Sequence, residues 1–378
     1  MIIGIITFFN AHNYGAVWQA YALKQYIKKQ GHECYIINYR NKFIEKAYPK
    51  NLKPRIRKKH YLNPFYIKSN IKELDVWLHS RSGWHIQYEK FVKFINAVLL
   101  DGNDKIEYEA QISKCDVLIF GSDQVWERNI IGAQDKVYIG DFNFNGKKVS
   151  YAASCFSENS QIDDAMINSI MKFDFISVRE KAFAERLRKL LPDYNNINVV
   201  VDPVFLLSKE DYGMLINRSS FCLDKPYILF YMVCENDEMN KMSRFLREIL
   251  NKNIIEIHYY RDSKINQEWQ KSDVGPMEFL NYIRNAEFVI TNSFHGVAFS
   301  LIFEKYFIAV NDNMRILNLL DCLGLVDRIV LTCTNIEKTV NSVIDYNIIN
   351  CKIRELTRDS RLFLQEIFNL SMENGNDK

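Results

Sequence analysis

Short runs rich in Ile, Val and Phe recur along this chain, each followed by a polar turn and then a stretch of helical period. That alternation limits the fold more than any other feature, because a strand–turn–helix–strand series can close its sheet only in parallel, with helices on both faces. The first such unit reads Ile2 to Phe8 as a strand, Phe9 to Tyr14 as a polar loop, Gly15 to Gln30 as a helix and Glu33 to Tyr39 as the next strand. The helix carries Val17, Ala20, Tyr21, Leu23 and Ile27 at helical spacing and stops at Gly31. Further strands are expected at 116–120, 148–153, 175–178 and 198–201, alternating with helices near 161–172 and 180–191. A second series follows at 227–233, 254–258, 287–291 and 306–310, with a helix from Pro276 to Asn285 among those between its strands.

Two successive series predict an α/β protein of two Rossmann-like domains: residues 1–205, then 226–350, with a closing helix over 355–372. Residues 41–114 break the first alternation and read as a helical insertion in the N-terminal domain, with helices near 70–80 and 86–100. The 378 residues suffice for two cores.

Charge is uneven. Residues 40–72 hold eleven Lys and Arg against the single acid Glu45, so this segment carries +10 and leaves the rest of the chain at −7 for a total of +3. Interleaved Phe43, Tyr48, Tyr61, Phe65 and Tyr66 suit contact with anionic lipid headgroups or a diphosphate-linked acceptor. The bland reading is a solvated loop. Nucleic acid is not expected, because no nucleic-acid-binding motif is present and the remainder is acidic. The eight cysteines form no Cys-x-x-Cys pair and no metal-ligand spacing with His, so no metal site is predicted and the thiols read as reduced, in a cytoplasmic protein. The opening Met1-Ile-Ile-Gly-Ile-Ile reads as a strand rather than a leader, and no apolar run reaches the roughly 20 residues that span a bilayer.

The segment Phe288-Val-Ile-Thr-Asn-Ser-Phe-His-Gly carries the sharpest chemical signal. It places Asn292, Ser293, His295 and Gly296 where a strand ends and a helix begins, the position at which open α/β sheets hold ligands and free N–H groups favour anions. Arg315 opens the next helix at the same edge, so it is expected beside His295. Arg179, just past the strand at 175–178, can bind a carboxylate or phosphate in a bidentate fork, or simply pair with Glu180 or Glu185. In the first loop, Asn13, Tyr14 and Gly15 are placed to line a cleft or to cap the helix. After the strand at 116–120 come Ser122, Asp123, Gln124 and Trp126. Asp123 and Gln124 can bond sugar hydroxyls, and Trp126 can stack on a pyranose. Ser154 ends another strand and faces a cleft or begins a loop. Asp202 reads as structural, and His12 alone of the other histidines is placed to reach a cleft. The absence of Gly-x-Gly-x-x-Gly leaves a dinucleotide site without support, and no cofactor is predicted.

Taken together, Asn13-Tyr-Gly-Ala-Val-Trp-Gln-Ala-Tyr-Ala-Leu, Gly121-Ser-Asp-Gln-Val-Trp, Ser150-Tyr-Ala-Ala-Ser, Ile176-Ser-Val-Arg-Glu, Val201-Asp-Pro and Thr291-Asn-Ser-Phe-His-Gly resemble the polysaccharide pyruvyl transferase family. The resemblance implies a two-domain fold similar to the type B glycosyltransferases with its active site in the interdomain cleft, phosphoenolpyruvate as donor and a sugar or lipid-linked oligosaccharide as acceptor. It also implies that His295, Arg179 and Arg315 hold the donor. A nucleotide-sugar glycosyltransferase of the same architecture, or a glycan-binding protein without activity, are the alternatives.

Overall fold

The computed structural model describes residues 1–373 except 52, 55–63, 133–134, 156–161, 193, 195, 218–224, 234–236, 258–269, 312 and 335. Cys222, Cys234, His258 and much of the basic segment, including Arg55, Arg57, Lys58, Lys59 and Tyr61, lie outside the described residues. The chain forms two compact units, one of residues 1–48, 93–208 and 350–378, the other of 49–92 and 209–349.

The first unit is built on six parallel strands: β1 (Ile2–Ile6), β2 (Glu33–Ile36), β3 (Val117–Phe120), β4 (Lys147–Ala153), β5 (Phe175–Val178) and β6 (Ile197–Val199), in the order β2-β1-β3-β4-β5-β6. All four residues of β3 are buried. Both faces of this strand are therefore covered, which is why its sequence runs apolar without alternation. Phe120 meets Phe173 edge to face at 4.8 Å, and Trp126 packs on Phe173 and Phe183. Burying side chains of this size contributes about 1.5–3 kcal/mol each.

The second unit holds β7 (Tyr227–Tyr231), β8 (Asn253–Ile257), β9 (Gln270–Lys271), β10 (Phe288–Thr291) and β11 (Tyr306–Ala309), all parallel, in the order β11-β10-β7-β8-β9. Ile228, Phe230, Ile290 and Ile308 form its core with Met239, Met242 and Leu246 of the helix Asp237–Leu250.

Two features depart from the sequence expectations. The insertion, expected to hold helices near 70–80 and 86–100 within the N-terminal domain, has one helix, Pro64–Phe94, that runs on into a π-helical turn Ile95–Leu99, flanked by the short helices Lys42–Ala47 and Tyr108–Ile112, and residues 49–92 belong to the second unit. Gly83 lies within this helix at a position where a Cβ would collide with Ser272. Lys90 pairs with Glu278 at 2.7 Å on the same side. The final helix also starts earlier than expected, at Tyr346, where Asp345 Oδ1 accepts from Asn347 N at 3.0 Å. It returns to the first unit, with Ser360 Oγ accepting from Val201 N at 2.9 Å and Phe363 set against Tyr151 and Phe175.

Gly to Ala inside a helix ordinarily stabilises by about 0.5–1 kcal/mol. Here the added methyl is overpacked, so Gly83→Ala is expected to destabilise by about 1–3 kcal/mol, and Ser272→Gly to restore most of the loss. A Gly83→Ala protein melting at or above wild type would show that the helix does not approach Ser272.

Candidate functional site

In the second unit, strand order reverses between β7 and β10, and the carboxyl ends of β7, β10 and β11 are level: Thr291 pairs in register with Tyr231 and with Ala309. The turn after β10 is fixed by short-range bonds. Thr291 Oγ1 accepts from Ser293 N at 3.1 Å, and Ser293 caps the helix Phe294–Ile302 by accepting from Gly296 N at 3.4 Å. Gly296 is obligatory, because a Cβ would collide with the Thr291 side chain. Asn292, expected at substrate, has its Oδ1 on Val233 N at 2.8 Å, tying the ends of β10 and β7 together. Asn311 Nδ2 donates to Asn292 O at 3.0 Å, and Asn313 caps the helix Met314–Leu323 through Ile316 N at 3.1 Å.

This framework puts His295 and Arg315 in the first turns of two helices that follow paired strands. His295 is buried, its ring edge-on to Phe294 at 5.2 Å, and Arg315 is half-buried. Two helix N-termini, an imidazole and a guanidinium at one sheet edge make a setting for an anion.

The first unit gives a different edge. Arg179 is buried, its Nη1 donates to Asp202 Oδ2 at 2.7 Å and its Nε to Glu180 Oε1 at 3.2 Å. Burial alone would lower its pKa, but the carboxylates of Glu180, Asp202 and Asp123 outweigh burial and push it above the ordinary value. Ser154 Oγ donates to Glu180 Oε1 at 2.7 Å, and Asp202 also receives Val204 N at 3.1 Å. With three carboxylates around one guanidinium, this edge is acidic. Arg179, expected to grip an anion, is here engaged by Asp202 and Glu180. Glu180, which the sequence offers only as an ion-pair partner, joins Ser154 to Arg179.

Asn13 caps the helix Tyr14–Lys29 by accepting from Ala16 N at 3.3 Å, while Tyr14 and Gly15 are buried in its first turn. Trp126, expected to stack on a sugar, is a core residue, 1% exposed, donating from Nε1 to Tyr138 O at 3.2 Å. Asp123 and Gln124 stay partly exposed. Asp123 is held at φ 80°, an uncommon conformation for a residue with a Cβ, by a bridge to Ala153 and by its Oδ1 accepting from Gln124 N at 2.9 Å. His12 is buried against Tyr48. Burial first, then the Arg40 charge, pulls its pKa down to about 4, so the imidazole is neutral near pH 7.

Arg179→Ala leaves Asp202 and Glu180 buried without their counterion, an expected loss of about 3–5 kcal/mol of stability. Thermal melting checks this directly, and an unchanged melting temperature would mean that the ion pair is not formed in solution.

No curated protein matches the sequence. Among solved structures, the chain is similar to the UDP-GlcNAc 2-epimerase of Neisseria meningitidis bound to UDP-GlcNAc (9% identity, 97% of this chain and 99% of that one, TM-score 0.49). It is similar also to the UDP-N-acetylglucosamine 2-epimerase of Rickettsia bellii (11%, 98% and 96%, 0.49) and to the spinosyn rhamnosyltransferase SpnG (10%, 94% and 96%, 0.42). The sequence matches the polysaccharide pyruvyl transferase family over residues 13–313, a span that takes in His295 and Arg179 and stops just short of Arg315. With four-fifths of its length inside that match, the chain belongs to the polysaccharide pyruvyl transferase family and is a transferase.

Proposed function

We propose that this enzyme transfers pyruvate from phosphoenolpyruvate to two hydroxyls of a sugar, in a polysaccharide or lipid-linked glycan precursor, forming a pyruvate ketal and releasing phosphate. The observation that carries this reading is the pair of helix N-termini in the second unit that bear His295 and Arg315 in their first turns. Phosphoenolpyruvate presents a carboxylate and a phosphate close together, and a guanidinium, an imidazole and free backbone N–H groups suit both. In the reaction the methylene carbon takes a proton and becomes the new methyl, the adjacent carbon takes two sugar oxygens, and its bond to the phosphate oxygen breaks. Of the two hydroxyl protons displaced, one is balanced by the methyl and the other by phosphate. We assign the proton donation that assists phosphate departure to His295, charge neutralisation to Arg315, and orientation or deprotonation of the acceptor hydroxyl to Asp123. Arg179 acts through Glu180 and Asp202, holding the carboxylates at the other sheet edge.

Isothermal titration tests the donor. Phosphoenolpyruvate is expected to bind at one site, and His295→Ala and Arg315→Ala each to weaken it at least about tenfold, the loss of one charge-assisted bond, with melting temperature unchanged. Binding of a nucleoside diphosphate without any binding of phosphoenolpyruvate would instead favour a nucleotide-sugar glycosyltransferase.

We propose further that the enzyme works in the cytoplasm, docked on the anionic inner membrane face through the helix Pro64–Phe94. No helix among the described residues is long and apolar enough to cross a membrane. Ile67, Ile71, Leu74 and Leu78, at i, i+4, i+7 and i+11, form one exposed stripe, 40–64% accessible. It lies opposite the packed face of Ser80, Gly83, Trp84 and Gln87. Exposed Lys53, Lys68 and Arg81 accompany it, and the sequence before it adds Arg55, Arg57, Lys58 and Lys59. A second copy would bring the same positive charge against this one. An anionic bilayer complements it, at about 1 kcal/mol per basic residue near the surface. The protein is expected to pellet with phosphatidylglycerol vesicles and not with phosphatidylcholine ones, less so at high salt, and the variant Ile71→Ser with Leu74→Ser to stay in the supernatant. Equal pelleting of that variant would rule the helix out, and a concentration-dependent mass abolished by the same changes would identify the face as a dimer contact.

A further inference from the structure

In the first unit the strand order β2-β1-β3 reverses the direction of winding between β1 and β3, and doubly wound sheets take ligands at the carboxyl ends of the strands on either side of such a reversal. Two side chains on the loops there are buried without engagement. Asn10, after β1, is 5% exposed, and neither its Oδ1 nor its Nδ2 has a hydrogen-bond partner among the described residues. Ser122, after β3, is 0% exposed, and its Oγ has none. The two loops are clasped together: Thr7 Oγ1 donates to Ser122 O at 2.8 Å, Gln19 Nε2 donates to Thr7 Oγ1 at 2.8 Å, and Gly121 N donates to Ile6 O at 3.0 Å. A polar group buried without a partner costs about 1–3 kcal/mol, and native structures hold few of them. Asn10 lies outside the span matched by the family.

We propose that Asn10 and Ser122 form a hydroxyl-binding subsite for the neutral sugar acceptor. This rests on the transfer reading above and adds to it the residues that recognise the acceptor. The ligand chemistry follows from the groups. A primary amide offers donors and an acceptor together, and a serine hydroxyl does the same, so their natural counterpart is a sugar hydroxyl, which also does both. An anion fits poorly, because Asp123 on the adjoining loop, with Glu180 and Asp202 further along the same edge, outnumbers Arg179. A site built to hydrogen-bond a hydroxyl also discriminates strongly against an analogue lacking it, since its own buried groups are then left unpaired.

The test joins stability with ligand binding. In the protein without ligand, Asn10→Ala removes two unpaired groups, so its melting temperature is expected to rise by about 2–4 °C per kcal/mol recovered. Methyl β-galactoside and methyl β-glucoside, followed by saturation-transfer NMR, are expected to bind wild type and to bind Asn10→Ala about tenfold more weakly. Ser122→Ala, a smaller change, is expected to weaken glycoside binding in the same direction. A lower or unchanged melting temperature for Asn10→Ala would mean the amide already has partners such as ordered water, and would overturn the proposal. So would glycoside binding that is absent in wild type or equal in all three proteins. Phosphoenolpyruvate titrated into the same samples separates the two readings. Glycoside bound through Asn10 without any phosphoenolpyruvate binding sinks the transfer reading and leaves the subsite standing, whereas the converse sinks the subsite alone.

Discussion

A parallel sheet covered on both faces leaves no place along its strands for a polar side chain without a partner, and this constraint arranges everything else in the molecule. Every residue of β3, β7 and β10 is buried. Within the strands, Ser150 and Ser177 are held by bonds between β4 and β5, and further polar and charged groups collect in the turns that follow the strands. There the backbone emerges with its last carbonyls spent in the ladder and with the N–H groups of the next helix still unengaged. The same burial that supplies the cores thus gathers Thr7, Asn10, Ser122, Asp123, Ser154, Arg179 and Asp202 at one edge, and Asn292, His295 and Arg315 at another.

The two edges differ in sign. At the first, Asp123, Glu180 and Asp202 outnumber Arg179, and the guanidinium is held so firmly that its proton is harder to remove than usual despite burial. At the second, two helix N-termini are fitted with a histidine and an arginine, and the carboxamides of Asn292, Asn311 and Asn313 are spent on backbone groups. Those amides set the spacing of the turns without adding charge. A fold that used the same turn chemistry twice would give two similar edges, so the difference in sign belongs to the particular side chains. It is the ground on which we propose an anionic donor for the second unit and a neutral polyhydroxyl acceptor for the first.

How much of this the sequence carries depends on the range of the interactions concerned. The strands and the helix Pro276–Asn285 are legible because hydrophobic period and a proline after glycine act locally. The neighbouring placement of His295 and Arg315 is legible too, because successive strand–helix units put their turns at one edge. The continuity of the helix Pro64–Phe94 is not, because the close approach of Ser272 to Gly83 joins residues far apart in the chain. Trp126 illustrates the opposite failure: a large aromatic after a polar turn suits a sugar platform equally well as a core, and only the packing of Phe173 and Phe183 around it decides. Glu180 is offered as a partner of Arg179 by its adjacency, whereas Asp202 carries no local sign that it shares the same arginine.

Asn10 marks a further limit of local reading. Nothing in its neighbours distinguishes it from the many asparagines that close turns by bonding their own backbone. What separates it is an absence, visible only when burial and hydrogen bonding are known together: an amide sealed from solvent that bonds neither the turn it sits in nor the helix that follows. Asn13, three residues on, does what a turn asparagine ordinarily does and caps the helix. An unpaired buried amide destabilises the free protein, and such a cost persists where a bound group removes it. That cost is the ground on which a partner outside the chain is proposed for Asn10.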